Sequence, residues 1–405
     1  MDWIGKFLNL PEVFLPSGAG NGGGVIQGSA SEAILIAVLA AREQKVRQIK
    51  KERPEMSDGD IRSKLVAYGS IHSNSAIEKS GLLGAIKMRL LEADENSIMR
   101  GDTVKKAIEE DIAAGLFPTC CVATIGTTGT CAFDNLEEIG PVCNEHKVWL
   151  HIDAAYAGAA FCLPEYAHIK KGCELGDSVN FNLHKWMLVN FDCCAMWLKD
   201  AGALTESFNV DRIYLDHEYQ GSSKAPDYRH WQLALGRRFR ALRVWITLRT
   251  YGQEYIRTYV RKQIGLAKLF ENFVLSDERF ESAGSSLGLA FFRVRGDCAK
   301  TKKLLDTITM RKNIYMIPAT YRNKIIIRFC ICGHEPEEKD VEYAWNEIQA
   351  VANIVLNENI TSQSIELPAT INNTQEVQFK QNLLNMTEKL STKLILSADD
   401  EKTKQ

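Results

Sequence analysis

The chain has 405 residues, 45% hydrophobic and 25% charged, a composition that supports a large globular core divided between more than one domain. Its 49 basic and 51 acidic residues give a formal net charge of −2, which excludes an electrostatic draw toward nucleic acid or acidic membranes. The opening residues do not read as a signal peptide, and the longest apolar stretch, Ala33 to Ala41, falls far short of the ~20 residues that span a bilayer.

In chain order, Met1 to Pro16 reads as an amphipathic helix (Trp3, Ile4, Phe7, Leu8) ended by Pro11, followed by a glycine-rich turn to Gly24. Val25 to Gln27 is a short strand. Gly28-Ser29-Ala30-Ser31-Glu32 opens a long helix that Pro54 stops, with Ser29 and Glu32 at capping-box spacing. Strands are then expected at Leu65–Tyr68, Cys120–Ile125 and Val148–Asp153. Helices are expected at Ser75–Ala85, Thr103–Ala114 and Leu136–His146. Strands alternating with helices predict an α/β domain with a mainly parallel sheet, and continuous apolar strands suit a sheet covered on both faces. Near Tyr251 the pattern changes. A helix at Tyr255–Leu275, a strand around Leu287–Val294, a helix at Ala299–Lys312, the strand Lys324–Phe329 and a helix at Pro336–Asn357 predict a smaller α+β unit. The expected organisation is a large domain over 1–250, a small one over 251–357, and a polar, disordered tail over 358–405.

The eleven cysteines lack a disulfide or zinc spacing and often sit in apolar runs, so reduced, buried thiols in a cytosolic protein are expected. Three matches to the glycosylation acceptor pattern, at Asn359, Asn372 and Asn385, fall in the polar tail and read as chance without a secretory route.

One constellation carries chemistry. Val148-Trp149-Leu150-His151-Ile152-Asp153 is a strand ending in a carboxylate, and downstream lies Asn180-Phe181-Asn182-Leu183-His184-Lys185-Trp186. A lysine between histidine and tryptophan in an apolar setting is not an ordinary surface lysine, and an aspartate ending a buried strand needs a partner. Together they predict a pyridoxal phosphate (PLP) site, with Lys185 as the Schiff-base lysine and Asp153 opposite the pyridinium nitrogen. The start of the long helix offers unpaired N–H groups and a helix dipole for the phosphate. Each member alone has a structural reading: Ser29 as a plain N-cap, Asp153 as a strand-end residue, His184 as a core histidine, Lys185 as a snorkelling lysine. The combination is far more specific.

Gly22 to Ala33, His151 to Gly158, Asn180 to Trp197, Asp227 to Gln232 and Gly236 to Arg240 resemble the PLP-dependent group II amino-acid decarboxylases, over Met1 to about Val351. The resemblance implies a type I PLP fold, a homodimer, a cytosolic location and a small aromatic amino acid as substrate. It implies that Ala30, Ser31, Asn182 and His184 surround the phosphate and that Thr128 and Ala155 lie near the ring. Tyr214 would sit on a mobile catalytic loop, Asp211 to Asp227, as proton donor in amine-forming members. Gly236 matches a glycine used for bulky aromatic substrates.

Asn74 occupies the position where amine-forming relatives place a histidine over the cofactor. In this, and in Leu183 before His184, the chain resembles the insect branch that forms 3,4-dihydroxyphenylacetaldehyde. Imidazole can relay a proton to the carbanion left by loss of CO₂, whereas an amide cannot near pH 7. The longer-lived carbanion then reacts with O₂, so the expected products are aldehyde, ammonia and hydrogen peroxide, and a role in cuticle cross-linking is what the resemblance implies. His72 departs from the relatives: in an extended segment it would share a side with Asn74 and restore part of a relay. Relatives also carry a segment before the match to Met1, which supplies a swapped helical pair at the dimer interface and a wall of the substrate pocket. Without it, exposed apolar surface predicts a poorly soluble or inactive chain. The competing expectations are an amine-forming aromatic decarboxylase and an inactive, truncated paralogue.

Overall fold

The apolar runs expected as strands at Leu65, Cys120 and Val148 form strands buried on both faces, and Ser178–Asn182, which alternates polar and apolar residues, is buried beside them. A computed structural model describes residues 1–210 and 226–357 of the chain. Every residue of β2 (Leu65–Ser70), β4 (Phe117–Thr124), β5 (Trp149–Asp153) and β6 (Ser178–Asn182) is buried. They lie side by side and parallel. β3 (Lys87–Leu91) flanks β2, and β7 (Cys194–Leu198) and β1 (Gly23–Gln27) close the other edge in antiparallel register. The seven-stranded order is β1-β7-β6-β5-β4-β2-β3.

Two apolar layers cover the sheet. Val66, Tyr68, Cys121, Ala123, Leu150 and Ile152 belong to one cluster, and their neighbours Leu65, Ala67, Cys120, Val122 and Trp149 to the other. The second layer is roofed by α2 (Ala30–Glu52), which buries Ala33, Ile34, Ala37, Val38 and Ala41 along one face. α1 (Asp2–Phe7) and α3 (Asp58–Ser63) are single short helices. α4 (Ser75–Gly84), α5 (Gly101–Ala113) and α6 (Leu136–Glu145) connect the central strands.

After α7 (Leu183–Trp186) and α8 (Gly202–Phe208), α9 (Arg240–Leu275) runs through a break at Gly252, whose φ of 72° a residue with a side chain adopts with strain. A second, antiparallel sheet has the order β10-β11-β9-β8, from β8 (Phe280–Ser286), β9 (Leu289–Val294), β10 (Ile317–Tyr321) and β11 (Lys324–Cys330). α10 (Cys298–Arg311) and α11 (Glu338–Asn357) complete it. Met1–Val355 forms one compact unit. No described helix is long and apolar enough to cross a membrane.

Several elements differ from expectation. The first helix ends at Phe7, and a separate 3-10 turn follows at Glu12–Phe14. α9 begins fifteen residues before the expected Tyr255, because its first half is an exposed helix with little apolar periodicity toward this chain's core. The edge strands β3, β8 and β10 escaped the pattern: each is only partly buried, so its sequence carries no continuous apolar run.

Candidate functional site

Parallel strands bring the loops after them to one edge of the sheet. Thus Asn74 (after β2), Thr128 (after β4), Asp153 (ending β5) and Lys185 (after β6) share the carboxyl edge. The strand order reverses between β2, whose successor β3 lies outward, and β4, whose successor β5 lies the other way. Open α/β sheets bind ligands in the crevice at such a switch point.

Lys185 rides on α7, where Leu183 and Trp186 face the core at i, i+3. The intervening His184 and Lys185 therefore turn outward, and Lys185 is exposed rather than set among apolar groups. It lines a cavity of about 220 Å³ with Gly126, Thr127, Thr128, Tyr156, Leu289, Arg328 and Cys330. The Tyr156 ring stacks on Trp186 at 4.9 Å between centroids, and Trp186 donates its indole N–H to Gln263 of α9. A side chain at Gly288 would meet the Tyr156 hydroxyl at 2.9 Å, so this stack needs glycine there.

Asp153 is buried, and its Oδ1 accepts from the Ala155 N–H at 3.0 Å and from Asn180 Nδ2 at 3.1 Å. Among the described residues Oδ2 accepts no hydrogen bond, which leaves it for a cationic partner. Behind Asp153 runs a hydrogen-bonded chain that links β5 to β6. Adjacent register pairs, His151 with Ser178 and Asp153 with Asn180, set the partners. The Trp149 indole can only donate, so Ser178 Oγ accepts from it at 2.9 Å, and this oxygen lies 2.7 Å from His151 Nδ1. A carboxylate can only accept, so Asn180 turns its NH₂ toward Asp153 and its Oδ1 toward His151 Nε2, at 2.7 Å. His151 Nε2 therefore carries a proton, and burial, which lowers the pKa of the ring to about 4, keeps it neutral, so Nδ1 accepts from Ser178 Oγ.

Asn74 is the N-cap of α4. Its Oδ1 accepts from the Ala76 N–H at 3.0 Å, so its NH₂ faces the other way and donates to Thr128 Oγ1 at 3.1 Å. Thr128, a wall of the Lys185 cavity, thereby joins the loops on the two sides of the switch point. His72 takes no part in an extended segment. Ser73 N–H bonds back to Ser70 O at 3.0 Å, a turn, so the two-residue alternation expected to bring His72 beside Asn74 does not apply.

Ala30 and Ser31 form the first turn of α2, half-buried and exposed respectively, and Ser29 is its N-cap, accepting from Glu32 N–H at 3.3 Å. Glu32 instead accepts from Gly28 N–H at 2.8 Å, one residue before the cap. A side chain at Gly28 would lie 3.3 Å from Asp192 Oδ2, so the start of α2 closely approaches the segment after α7. His184 accepts from the Cys193 N–H at 2.9 Å and packs on Phe191, and burial lowers its pKa. Asn182 is buried with an Oδ1 that has no partner, as is Thr124 Oγ1 at the end of β4. Ala155 is buried beside Asp153. Gly236 lies in an exposed stretch with open space around it and is not a wall of the cavity. Tyr214 lies outside the described residues.

Sequence reading missed Arg328, Cys330 and Leu289. They come from β11 and β9, far along the chain, and converge only through folding. Arg328 donates to Thr128 O at 2.8 Å and supplies a fixed positive charge in the cavity wall. An amine, a carboxylate with a free oxygen, a guanidinium and buried unpaired polar atoms on one strand edge suit PLP: Lys185 and Asp153 for its ring, the α2 start with Asn182 and His184 for its phosphate. Among the described residues no group of His, Cys, Asp or Glu is arranged to hold a metal ion.

The pyridoxal-dependent decarboxylase conserved domain matches residues 1–295. The chain is 64% identical over 356 residues to 3,4-dihydroxyphenylacetaldehyde synthase of Aedes aegypti, covering 88% of this chain and 68% of the relative. It is 49% identical over 353 residues to aromatic-L-amino-acid decarboxylase of Drosophila lebanonensis, with 87% of each covered. Among solved structures, Oryza sativa TDC with PLP and tryptamine superposes with a TM-score of 0.83 at 30% identity, over 88% of this chain and 75% of that one.

Proposed function

Because the chain belongs to the pyridoxal-dependent decarboxylase family, on the type I PLP fold and with pyridoxal 5′-phosphate as cofactor, we propose that this decarboxylating enzyme converts L-dopa, O₂ and water to 3,4-dihydroxyphenylacetaldehyde, CO₂, NH₃ and H₂O₂. The observation that carries the reading is the clamped amide of Asn74, tied to Ala76 N–H on one side and to the cavity residue Thr128 on the other. The 64% identity to an aldehyde synthase supports it.

Lys185 holds the cofactor, and Asp153 Oδ2 pairs with its ring nitrogen. When bound, PLP is the electron sink for the charge left at the substrate Cα once CO₂ has gone. Ala30, Ser31, Asn182 and His184 take the phosphate, and Thr128 and Ala155 border the ring. Arg328, the guanidinium of the cavity wall, pairs with the substrate carboxylate. Asn74 carries no proton it can give up near neutral pH, and both ends of its amide are engaged, so it supplies no acid to Cα, which stays open to O₂. Gly236 and Tyr214 belong to the substrate side of the same reading. The active form is a cytoplasmic homodimer.

Incubation of the PLP-loaded protein with L-dopa in oxygenated buffer tests this. Peroxide equal to CO₂, with aldehyde, is the expected outcome. Dopamine without peroxide would instead establish the amine-forming reaction, and no CO₂ at all an inactive paralogue.

A further inference from the structure

Near the end of β11, side chains alternate between core and cavity. Ile327, Phe329 and Ile331 are buried, whereas Arg328, Cys330 and Cys332 fall on the other side at two-residue spacing. The extended path continues past the strand, because Ile331 N–H bonds to Gly288 O at 2.9 Å. Cys330 therefore lines the Lys185 cavity, and Cys332 follows two residues on, on the same side of the extended path. Eight of the eleven cysteines are buried, Cys298 and Cys330 are intermediate, and Cys332 is the one exposed thiol.

We infer that Cys332 and Cys330 form a peroxide-reactive dithiol at the wall of the cofactor cavity, Cys332 as the reacting thiol and Cys330 as the resolving one. Reactivity requires a thiolate, an open approach and a nearby cation. Exposure supplies the approach, and Arg328 on the same face supplies the cation. The Cys330 thiol and Arg328 both stabilise the Cys332 thiolate and lower its pKa to about 6, whereas Cys330 stays protonated. Attack of the Cys332 thiolate on hydrogen peroxide forms an S–O bond and breaks the O–O bond. Hydroxide leaves, and the sulfur is oxidised by two electrons to a sulfenic acid. Cys330 then attacks that sulfur: the S–S bond forms, the S–O bond breaks, and water leaves with the thiol proton. Two thiols and one peroxide thus give one disulfide and two waters, which a dithiol reductant reverses. The inference does not rest on the proposed aldehyde chemistry, because peroxide can be supplied from outside.

The test treats the PLP-loaded full chain with hydrogen peroxide, blocks residual thiols by alkylation, and maps the peptides by mass. A Cys330–Cys332 disulfide removed by dithiothreitol is expected, with the buried cysteines still alkylated after unfolding. In Cys330→Ser, dimedone should label Cys332; in Cys332→Ser, neither the disulfide nor the label should form. Alkylation of both residues in the treated wild type, or oxidation of Cys298 in preference to Cys332, would overturn the inference.

Discussion

At the scale of single residues, Asn74 has two duties that pull apart. It caps α4 through Oδ1 and meets Thr128 through Nδ2. Asn74→His supplies a titratable ring but loses the better cap, at a cost of about 0.5–2 kcal/mol. The expected result is a lower melting temperature with a product ratio moved from aldehyde and peroxide toward amine. Unchanged peroxide per CO₂ in a folded variant would remove Asn74 from the argument. The chain behind Asp153 makes a second prediction. In His151→Phe, Asn180 Oδ1 and Ser178 Oγ lose a partner inside the core, where each orphaned polar group costs about 1–3 kcal/mol. The variant should melt lower and retain PLP less well on dialysis. The native histidine also gives a pH dependence. Its pKa is lowered from 6.5 to about 4 in the fold, so between these values the unfolded state binds the extra proton. This contribution to stability is full above pH 6.5 and lost as pH falls toward 4. A His151→Phe variant should lack that segment of the wild-type stability curve, measured by denaturant unfolding across pH. Asp153 and Lys185 were legible in sequence because short contiguous motifs carry them. The relay from Trp149 was not, since its members alternate between two strands whose pairing no local pattern records.

At the scale of elements, the sheet explains what could be read and what could not. The apolar runs of β4 and β5 were visible as strands, whereas edge strands and the exposed first half of α9 carry no such run. The buried β6 (Ser178–Asn182) alternates polar and apolar residues, and β7 was not expected as a strand. Arg328 and Cys330 sit on β11, whose strand was predicted, yet its approach to the lysine loop depends on tertiary packing. The same reasoning separates ancestry from chemistry at α7. Leu183 matches the aldehyde-forming branch in sequence, but its side chain is buried in the core and does not line the cavity. It is the first helical residue of α7, a position proline tolerates because the first-turn N–H has no partner within the helix. Leu183→Pro should therefore fold with a modest stability loss from reduced apolar contact, and leave the ratio of aldehyde to amine unaltered. A shifted ratio would mean that the backbone ahead of Lys185, rather than Asn74, sets the product.

At the scale of the whole molecule, an apolar face exposed among the described residues lies on the helix that holds the segment after Lys185. Phe239, Leu242, Trp245 and Ile246 are exposed, Trp245 by half and Phe239 by three-quarters (50% and 76%). Trp245 also lines a groove of about 410 Å³ with Met1, Trp3, Ile26, Val244 and Leu248. A cluster of large apolar groups on a helix is what a subunit interface covers, which supports the proposed homodimer. The same helix grips the segment that follows Lys185. Arg240 pairs with Asp192 at 2.6 Å and donates to its backbone carbonyl at 3.2 Å. Arg243 donates to the carbonyls of Asn190 and Phe191, both at 3.1 Å. Arg240 also holds the Asp192 carboxyl below its usual pKa. The apolar residues and the two arginines alternate along α9, so displacing one set strains the other. Leu242→Asp with Trp245→Glu should convert the dimer to monomer in sedimentation velocity. The same variant should release PLP faster, although neither position lines the lysine cavity. Arg240→Lys, which keeps the charge but loses the two-point grip, should loosen PLP while leaving the dimer intact. A wild-type chain that sediments as a monomer at micromolar concentration would refute the dimer. A monomeric variant with wild-type PLP retention would break the link between α9 and the lysine loop.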